Sequence, residues 1–490
     1  MRTAFGVALI ATGLYLLTAS GHLLGQDEEY YYRMARSVAR DHSFAIEPLV
    51  FRNIEIAGAR GEDGSFYAEY APGLPVALAP LVLLGDGINA LPLDLVSRYV
   101  WLQEGERDIA PRIAVSYFNI PVVGLITALL ILIIIGLGYS RFAAGFVGAG
   151  FALSTFALGQ ARMIYPEPLQ TLFILTAWLL MSRGSTKAAL VAGCALGCGI
   201  LVKLTTVLAL PALLLLPDER AIMVWRRPWH IIAIVLPLIG ALAVYAWYNY
   251  NRFGSFIATG YSTSGTVAEL GGNGIGNPMT GLYGLLFSTG RGVIWYAPLV
   301  IVAVASARRF YHEKKETAVA VFVFVAVWLA VHSCYKGWDS GWGWGPRYLF
   351  PVLPLALLPL ASSASSFATR LARVGLFAAG VVVQLPGALV DFMASGQQSM
   401  IVFERTAAQR SQEMFVAWRN FNVAGSEIVQ HSTLLLRGQL DIAWLTFRNS
   451  WLTTTTLGFV ALLVGTGFVL LLWPRLREAC KSKDLLGTTP

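Results

Sequence analysis

Long apolar runs recur from one end of this chain to the other, and the charges gather in short clusters between them. A run of about twenty apolar residues covers a hydrocarbon core about 30 Å thick. The composition agrees: 56% of the 490 residues are hydrophobic and 13% charged, outside the balance of a soluble globular protein. The pattern is that of an all-α polytopic membrane protein with about 12 transmembrane helices. The expected spans are Phe5–Leu24, Ile113–Leu137, Phe142–Leu158, Pro168–Met181, Ala188–Leu201, Thr205–Leu216, Ile231–Trp247, Val293–Ala307, Ala318–Val331, Leu349–Leu360, Val374–Val390 and Thr453–Trp473.

The stretch Ala188–Leu216 decides the topology. As one helix it would be about 43 Å long, too long for the core without strong tilt. As two short helices meeting near Lys203, it brings Arg220, Arg226, Arg227, Arg308, Arg309, Lys314 and Lys315 to the same side as Arg2, Arg141, Arg183, Lys187, Arg370, Arg373, Arg475, Arg477, Lys481 and Lys483. By the positive-inside rule that side is cytoplasmic. Both termini are then expected in the cytoplasm of a cell whose plasma (inner) membrane holds the protein. The N-terminal run is long for a signal peptide, and Ala19-Ser20-Gly21 is a poor cleavage site, so an uncleaved first helix is expected.

The net charge of +8 lies in inter-helix clusters with no aromatic-interleaved patch, which points to membrane lipid and away from nucleic acid. The four cysteines define neither a disulfide framework nor a metal spacing.

Three longer segments face outward in this topology: about Gly25–Arg112, Tyr248–Gly292 with its run GGNGIGNP, and Asp391–Trp451. The expected organisation is a transmembrane module over 1–390 with its outer loop at 25–112, an outer-face subdomain over 391–452, and a last span with a basic tail over 453–490.

In the first outer segment Tyr31, Met34, Ala35 and Val38 fall at i, i+3, i+4 and i+7, with Arg33, Arg36 and Arg40 on another face. This predicts an amphipathic helix in the interface, its arginines toward lipid phosphates. Asp27 and Glu28 open that helix; an acidic pair complementing the helix dipole is the plain structural account, and chemistry at the membrane boundary the other. YAEYAPGLPVALAPLVLLG, too short to span, reads as a second interfacial or re-entrant piece.

Glu167 is a near-membrane carboxylate, a functional candidate because an unpaired buried charge is expensive; pairing with Arg162 is the structural alternative. Lys203 at the expected hairpin either snorkels to the headgroups or grips a phosphate. In CYKGWDSGWGWGPRYLFPVLP, Arg347 precedes a span, where its guanidinium can fork onto a phosphate. Arg291, in STGRG, is a second such cation.

With these pieces in order, the chain resembles the GT-C superfamily of polyprenyl-phosphate-dependent glycosyltransferases, nearest to the protein mannosyltransferase and aminoarabinose transferase branch. The resemblance is carried by the Asp27-Glu28 pair after the first helix, the outer loop with interfacial helices, YAPGLP, Glu167 before the fourth helix, and KGWDSGWGWGPRYL, over about Phe5–Leu360. Tyr70-Ala71-Pro72-Gly73 stands where part of that branch carries a histidine or lysine, and Glu167 where an aspartate is more familiar.

The resemblance implies sugar transfer from a polyprenyl-phosphate donor to an acceptor on the outer face, with inversion. Phosphate is a good leaving group, so one carboxylate to take the acceptor proton and cations to hold the phosphate suffice. The expected catalytic set is Asp27, Glu28 and Glu167; the phosphate-binding set is Lys203, Arg291 and Arg347; and Tyr70, Lys336 and Asp339 are expected to meet substrate. A divalent metal could replace one cation, though no ligand cluster in the sequence demands it. A transporter or flippase of a lipid-linked or small polar substrate is the rival, since broken helices and intramembrane charges suit it too. Against it stand the absence of a visible repeat and the concentration of polar candidates on one face.

Overall fold

The structure is a computed structural model that describes every residue except 52–53, 91–107, 218–223, 264–273, 365, 407–410, 447–449 and 487–490. Arg220, residues 271–273 of the glycine-rich run, and part of the first outer segment lie outside the described residues. The architecture is mostly helical, with two small antiparallel hairpins, β1 (Leu49–Phe51) with β2 (Ile54–Ile56) and β3 (Gly58–Arg60) with β4 (Phe66–Ala68). Among the described residues, five helices are long and apolar enough to cross a membrane: Ile109–Gly136, Pro228–Phe253, Lys315–Ser333, Phe367–Leu389 and Trp451–Trp473. Shorter apolar helices, among them Arg2–Leu17, Arg141–Leu153 and Thr186–Val202, accompany them. All twelve expected segments contain helix, but length and composition mark five as spans.

Helix α1 (Arg2–Leu17) is followed by a short irregular stretch, earlier than the expected end at Leu24, and then by α2 (Gln26–Asp41). Helix α3 (Gly73–Asn89) follows the hairpins and packs on α2 and on α4 (Ile109–Ser116). The apolar YAPGLP stretch leads into a 17-residue helix that buries one face, with Leu74, Leu78 and Val82 inside, and leaves Val76, Leu83 and Leu84 exposed on the other. Next come α5 (Asn119–Gly136), α6 (Arg141–Leu153), α7 (Pro166–Met181) and α8 (Thr186–Val202), with α1, α5, α6 and α7 supplying much of the apolar core.

The chain breaks at Lys203, which is extended (φ −158°, ψ 122°), and resumes as a 3-10 turn Leu204–Ala209 and α9 (Leu210–Leu214). Helix α10 (Pro228–Phe253) packs parallel to α8: Gly193 lies against Ile234 and Gly197 against Pro237 and Ala241. Two consecutive long helices can run parallel only if the chain between them returns. The hairpin expected at Lys203 is thus present, and small residues let the two backbones approach as they do inside bilayers.

The remaining helices are α11 (Pro278–Phe287), α12 (Leu299–Glu313), α13 (Lys315–Ser333), α14 (Phe367–Leu389), a three-helix group α15 (Phe392–Thr406), α16 (Gln412–Phe421) and α17 (Glu427–Leu436), and α18 (Ser450–Leu486). Single-turn pieces are left unlabelled. Helix α18 returns antiparallel along α1, with Gly6 against Leu471 and Gly13 against Val464.

The amphipathic reading of α2 needs correction. Its arginines do not reach toward lipid phosphates. Arg33 is buried and donates to Glu29, Arg36 pairs with Asp108, and Arg40 pairs with Asp86 and Asp108. Tyr30, Tyr31, Tyr32, Met34 and Ala35 are all buried as well, in a cluster with Tyr70, Leu74 and Leu78. The helix is enclosed by its own loop and α3. Periodicity identified its faces but could not reveal that protein covers both.

Candidate active site

Three consecutive acids open α2, and 100° of rotation per residue sends them to three environments. Glu29 is buried and accepts from Arg33 Nε at 3.0 Å and Arg112 Nη2 at 2.8 Å. Glu28, also buried, accepts from two backbone amides, Leu24 N at 2.6 Å and Ile164 N at 3.1 Å. Burial pushes its carboxyl up to about 7 despite those amides. Asp27 alone stays open, its side chain 31% exposed. Tyr70 Oη donates to its Oδ1 at 2.9 Å, and both Nη atoms of Arg347 donate to its Oδ2 at 3.2 Å. The first turn of a helix also favours an anion there.

Beside this pair lies a second. Lys203, held at the break between α8 and the 3-10 turn, donates from Nζ to Glu167 Oε1 at 2.6 Å. Glu167 sits in the first turn of α7, where Pro166 fills a position whose N–H has no helical partner anyway. The pairs share a wall: Lys203 Nζ lies 4.5 Å and the Arg347 guanidinium 5.6 Å from the centre of the Tyr348 ring, and Arg347 also stacks 4.0 Å over Tyr165. Glu167 therefore pairs with Lys203 and not with Arg162, which is bound to Asp441.

Two atoms at this cluster are buried without a hydrogen-bond partner among the described residues: the acceptor Glu167 Oε2 and the donor Arg347 Nε. Such an orphan costs about 1–3 kcal/mol, and its persistence beside paired charges calls for a ligand or a water.

The structure brings Asp27, Tyr70, Glu167, Lys203 and Arg347 together, with Glu28 directly behind Asp27. It does not bring in Arg291 or Asp339. Arg291 is fully buried and forks onto Glu427, Nη1 to Oε2 at 2.7 Å and Nη2 to Oε1 at 2.6 Å, while it also donates to the carbonyls of Gly341, Gly343 and Gly345. Gly341 (φ 62°) and Gly345 (φ 71°) lie in the left-handed region that glycine enters without strain, which lets the segment curl round the guanidinium.

Asp339 accepts from Arg419 Nη2 at 2.8 Å and Asn420 Nδ2 at 3.0 Å, both on α16. Lys336 is exposed, and its amide donates to the Gly274 carbonyl. The glycine-tryptophan motif is thus a buried loop that bolts the α15–α17 group to the bundle and delivers Arg347 at its end.

Sequence reasoning missed Tyr31, Tyr165 and Tyr348. Tyr31 is buried with its ring 4.5 Å from that of Tyr70, and Tyr165 Oη donates to the Trp342 carbonyl at 2.8 Å. Each adjoins a residue that was singled out, but a tyrosine near an interface is ordinary, so position alone carried no signal. Both carboxylate oxygens of Asp27 are engaged, Oδ1 by Tyr70 and Oδ2 by Arg347.

Below Leu349, an apolar cleft of about 510 Å³ runs between α12, α13 and the Leu349–Pro359 stretch, lined by Val293, Val300, Phe310, Phe322, Val325 and Leu353 among others. It begins two residues from Arg347.

Fold and site together describe a multi-pass helical membrane protein with a paired-charge cluster at one end of its bundle and an apolar cleft whose lining includes Leu349, two residues along the chain from Arg347. No family model matches the chain, and no curated protein does. Among solved structures, it is similar to ArnT from Cupriavidus metallidurans bound to undecaprenyl phosphate, at 14% identity, covering 95% of this chain and 75% of that one, with a TM-score of 0.46. It is also similar to the Archaeoglobus fulgidus oligosaccharyltransferase, at 12% identity over 77% of this chain and 55% of that one, TM-score 0.43.

Proposed function

We propose that this chain is a membrane glycosyltransferase that moves a sugar from a polyprenyl-phosphate donor to an acceptor hydroxyl, with inversion. The observation that carries the reading is the site itself: an open carboxylate held by an arginine, beside a buried carboxylate–lysine pair, with one orphan acceptor and one orphan donor between them.

Arg347 pairs with Asp27 and offsets its charge. An arriving donor phosphate competes for the guanidinium, which binds phosphate as readily as carboxylate. That competition frees Asp27 to act as a base only when the donor is in place. The acceptor oxygen attacks the anomeric carbon, its proton passes to Asp27, and the bond from that carbon to the phosphate oxygen breaks. Both electrons of that bond leave with the polyprenyl phosphate, whose charge Arg347 and Lys203 hold. Glu167 Oε2 is an acceptor for a sugar or acceptor hydroxyl, and the apolar cleft beside Leu349 suits the polyprenyl chain.

This site end belongs on the outer face, with about twelve spans below it and both termini cytoplasmic. The test is turnover of a synthetic polyprenyl-phosphate sugar panel by the full chain in nanodiscs. Formation of a glycosidic bond is expected. Movement of substrate across the bilayer with no such bond formed overturns the reading in favour of a transporter.

A further inference from the structure

Between α1 and α2 the chain passes through a buried histidine that the chemistry above does not use. His22 Nδ1 lies 3.0 Å from the Leu23 carbonyl, and Nε2 lies 2.7 Å from Asp441 Oδ1. A carbonyl and a carboxylate only accept, so both ring nitrogens must donate, and the ring that satisfies both is the imidazolium. The other Asp441 oxygen accepts from Arg162 Nη2 at 2.7 Å. Arg162 also donates to the backbone carbonyls of Asp441 at 2.8 Å and Val390 at 3.1 Å.

One cluster thereby ties together the segment after α1, the segment before α7, the end of α14 and the strand of chain entering α18. Both oxygens of Asp441 are thus engaged, Oδ1 by His22 and Oδ2 by Arg162, which makes this an ion-pair cluster.

The same segments supply the two amides that hold Glu28. Leu24 N lies two residues beyond His22, and Ile164 N two residues beyond Arg162. Glu28 in turn is the neighbour of Asp27 on the first turn of α2. We infer that the Arg162–Asp441–His22 cluster is a positioning clamp, which fixes those two amides, through them Glu28 and the aim of Asp27, and which loosens when His22 loses its proton. The catalytic consequence rests on the proposed function; the clamp itself does not.

The charged groups facing His22 are Asp441, Asp391 behind it, Arg162 across Asp441, and Glu28 on α2. Burial presses the imidazolium toward its neutral form, but Asp441 more than offsets this, and the ring keeps its proton above the ordinary histidine value of about 6.5. A raised value means the clamp is closed below that pH and opens as pH climbs through the raised value.

The test is hydrogen exchange, read by mass spectrometry on peptides spanning 20–28 and 160–166 of the full chain in nanodiscs, corrected for intrinsic rates. Wild-type protection should fall by about tenfold or more between pH 6 and pH 9. In His22→Gln, whose amide donates without titrating, protection should be lower at pH 6 and independent of pH. Wild-type protection that does not change with pH, or His22→Gln that keeps the wild-type dependence, overturns the clamp. Turnover on the same preparations should lose kcat along the same basic limb with donor affinity unchanged, and His22→Gln should flatten that limb. If protection moves as expected while no sugar is transferred, the clamp stands and the glycosyltransferase reading fails.

Discussion

Asp27 and Arg347 are partners of one another, which changes what their substitution should do. Asp27→Asn keeps the shape of the side chain but cannot take a proton, and transfer should slow by at least about a hundredfold. It also frees Arg347, so donor affinity should hold or tighten; turnover and donor binding on one preparation check both, and near-normal turnover would move the base to Glu167. Arg347→Lys keeps a charge but loses the fork on Asp27 and the stacking on Tyr165, so it should bind donor more weakly than wild type and more tightly than Arg347→Ala. Glu28 carries a pH signature of its own. Its carboxyl, raised to about 7 by burial, holds a proton in the folded protein that the unfolded chain has released. Its contribution to stability therefore falls as pH rises from its ordinary value to about 7 and is level above that, by on the order of 3 kcal/mol at most. Glu28→Gln does not titrate, so the stability gap between wild type and variant should narrow between pH 5 and pH 8 in thermal unfolding.

The elements that deliver these residues meet at close backbone contacts. A Cβ on Gly73, at the start of α3, would stand 2.6 Å from the backbone of Leu201 and Val202, just before the break at Lys203. Gly73→Ala should push α3 off the end of α8 and lower both thermal stability and donor affinity, whereas Gly87→Ala, with open space around it, should be neutral or stabilising. The glycine-tryptophan loop makes a contrasting case. Arg291→Met leaves Glu427 buried without its partner and takes one donor from each of three carbonyls, at a cost of about 3–5 kcal/mol. The expected result is early proteolytic cutting within α15–α17 and loss of yield, where Arg347→Ala should lose donor binding in a well-folded protein. Equal donor-binding defects at equal stability would place Arg291 back at the phosphate.

At the scale of the whole molecule, the path of the chain assigns labelling sites to two ends of the bundle. Glu313 is bonded to Tyr139 just past α5, and Gly184 to Arg227 just before α10, so both belong to the end away from Asp27. Glu62 packs on Gly254 just past α10, at the end that carries Asp27. Single-cysteine labelling from outside should reach probes at Glu62 and Ser411 and should miss Ser185, Glu313 and Ser482. Labelling of Glu313 from outside would invert the orientation and put the site in the cytoplasm.

Apolar run length and charge clusters were enough to mark where helices lie, and the surplus length of Ala188–Leu216 was enough to require a break at Lys203, because both follow from local hydrophobicity and helix rise. Glu167 and Lys203 stood out as candidates for the same reason, since charged groups beside a membrane core are expensive and few, whereas Asp27, Tyr70 and Arg347 stood out through the motifs that hold them. What each one touches was not legible. Arg291 and Arg347 look alike in sequence, each a cation in a glycine-containing stretch before an apolar run, yet one is caged by Glu427 and the other faces Asp27. The same holds for Arg36, Arg40 and Arg162, whose acidic partners lie at distances along the chain that no local pattern encodes. A charge's cost is set by its own surroundings and can be read from the chain. The partner that offsets that cost is chosen only when distant segments pack, and that choice separates a structural arginine from one at the site.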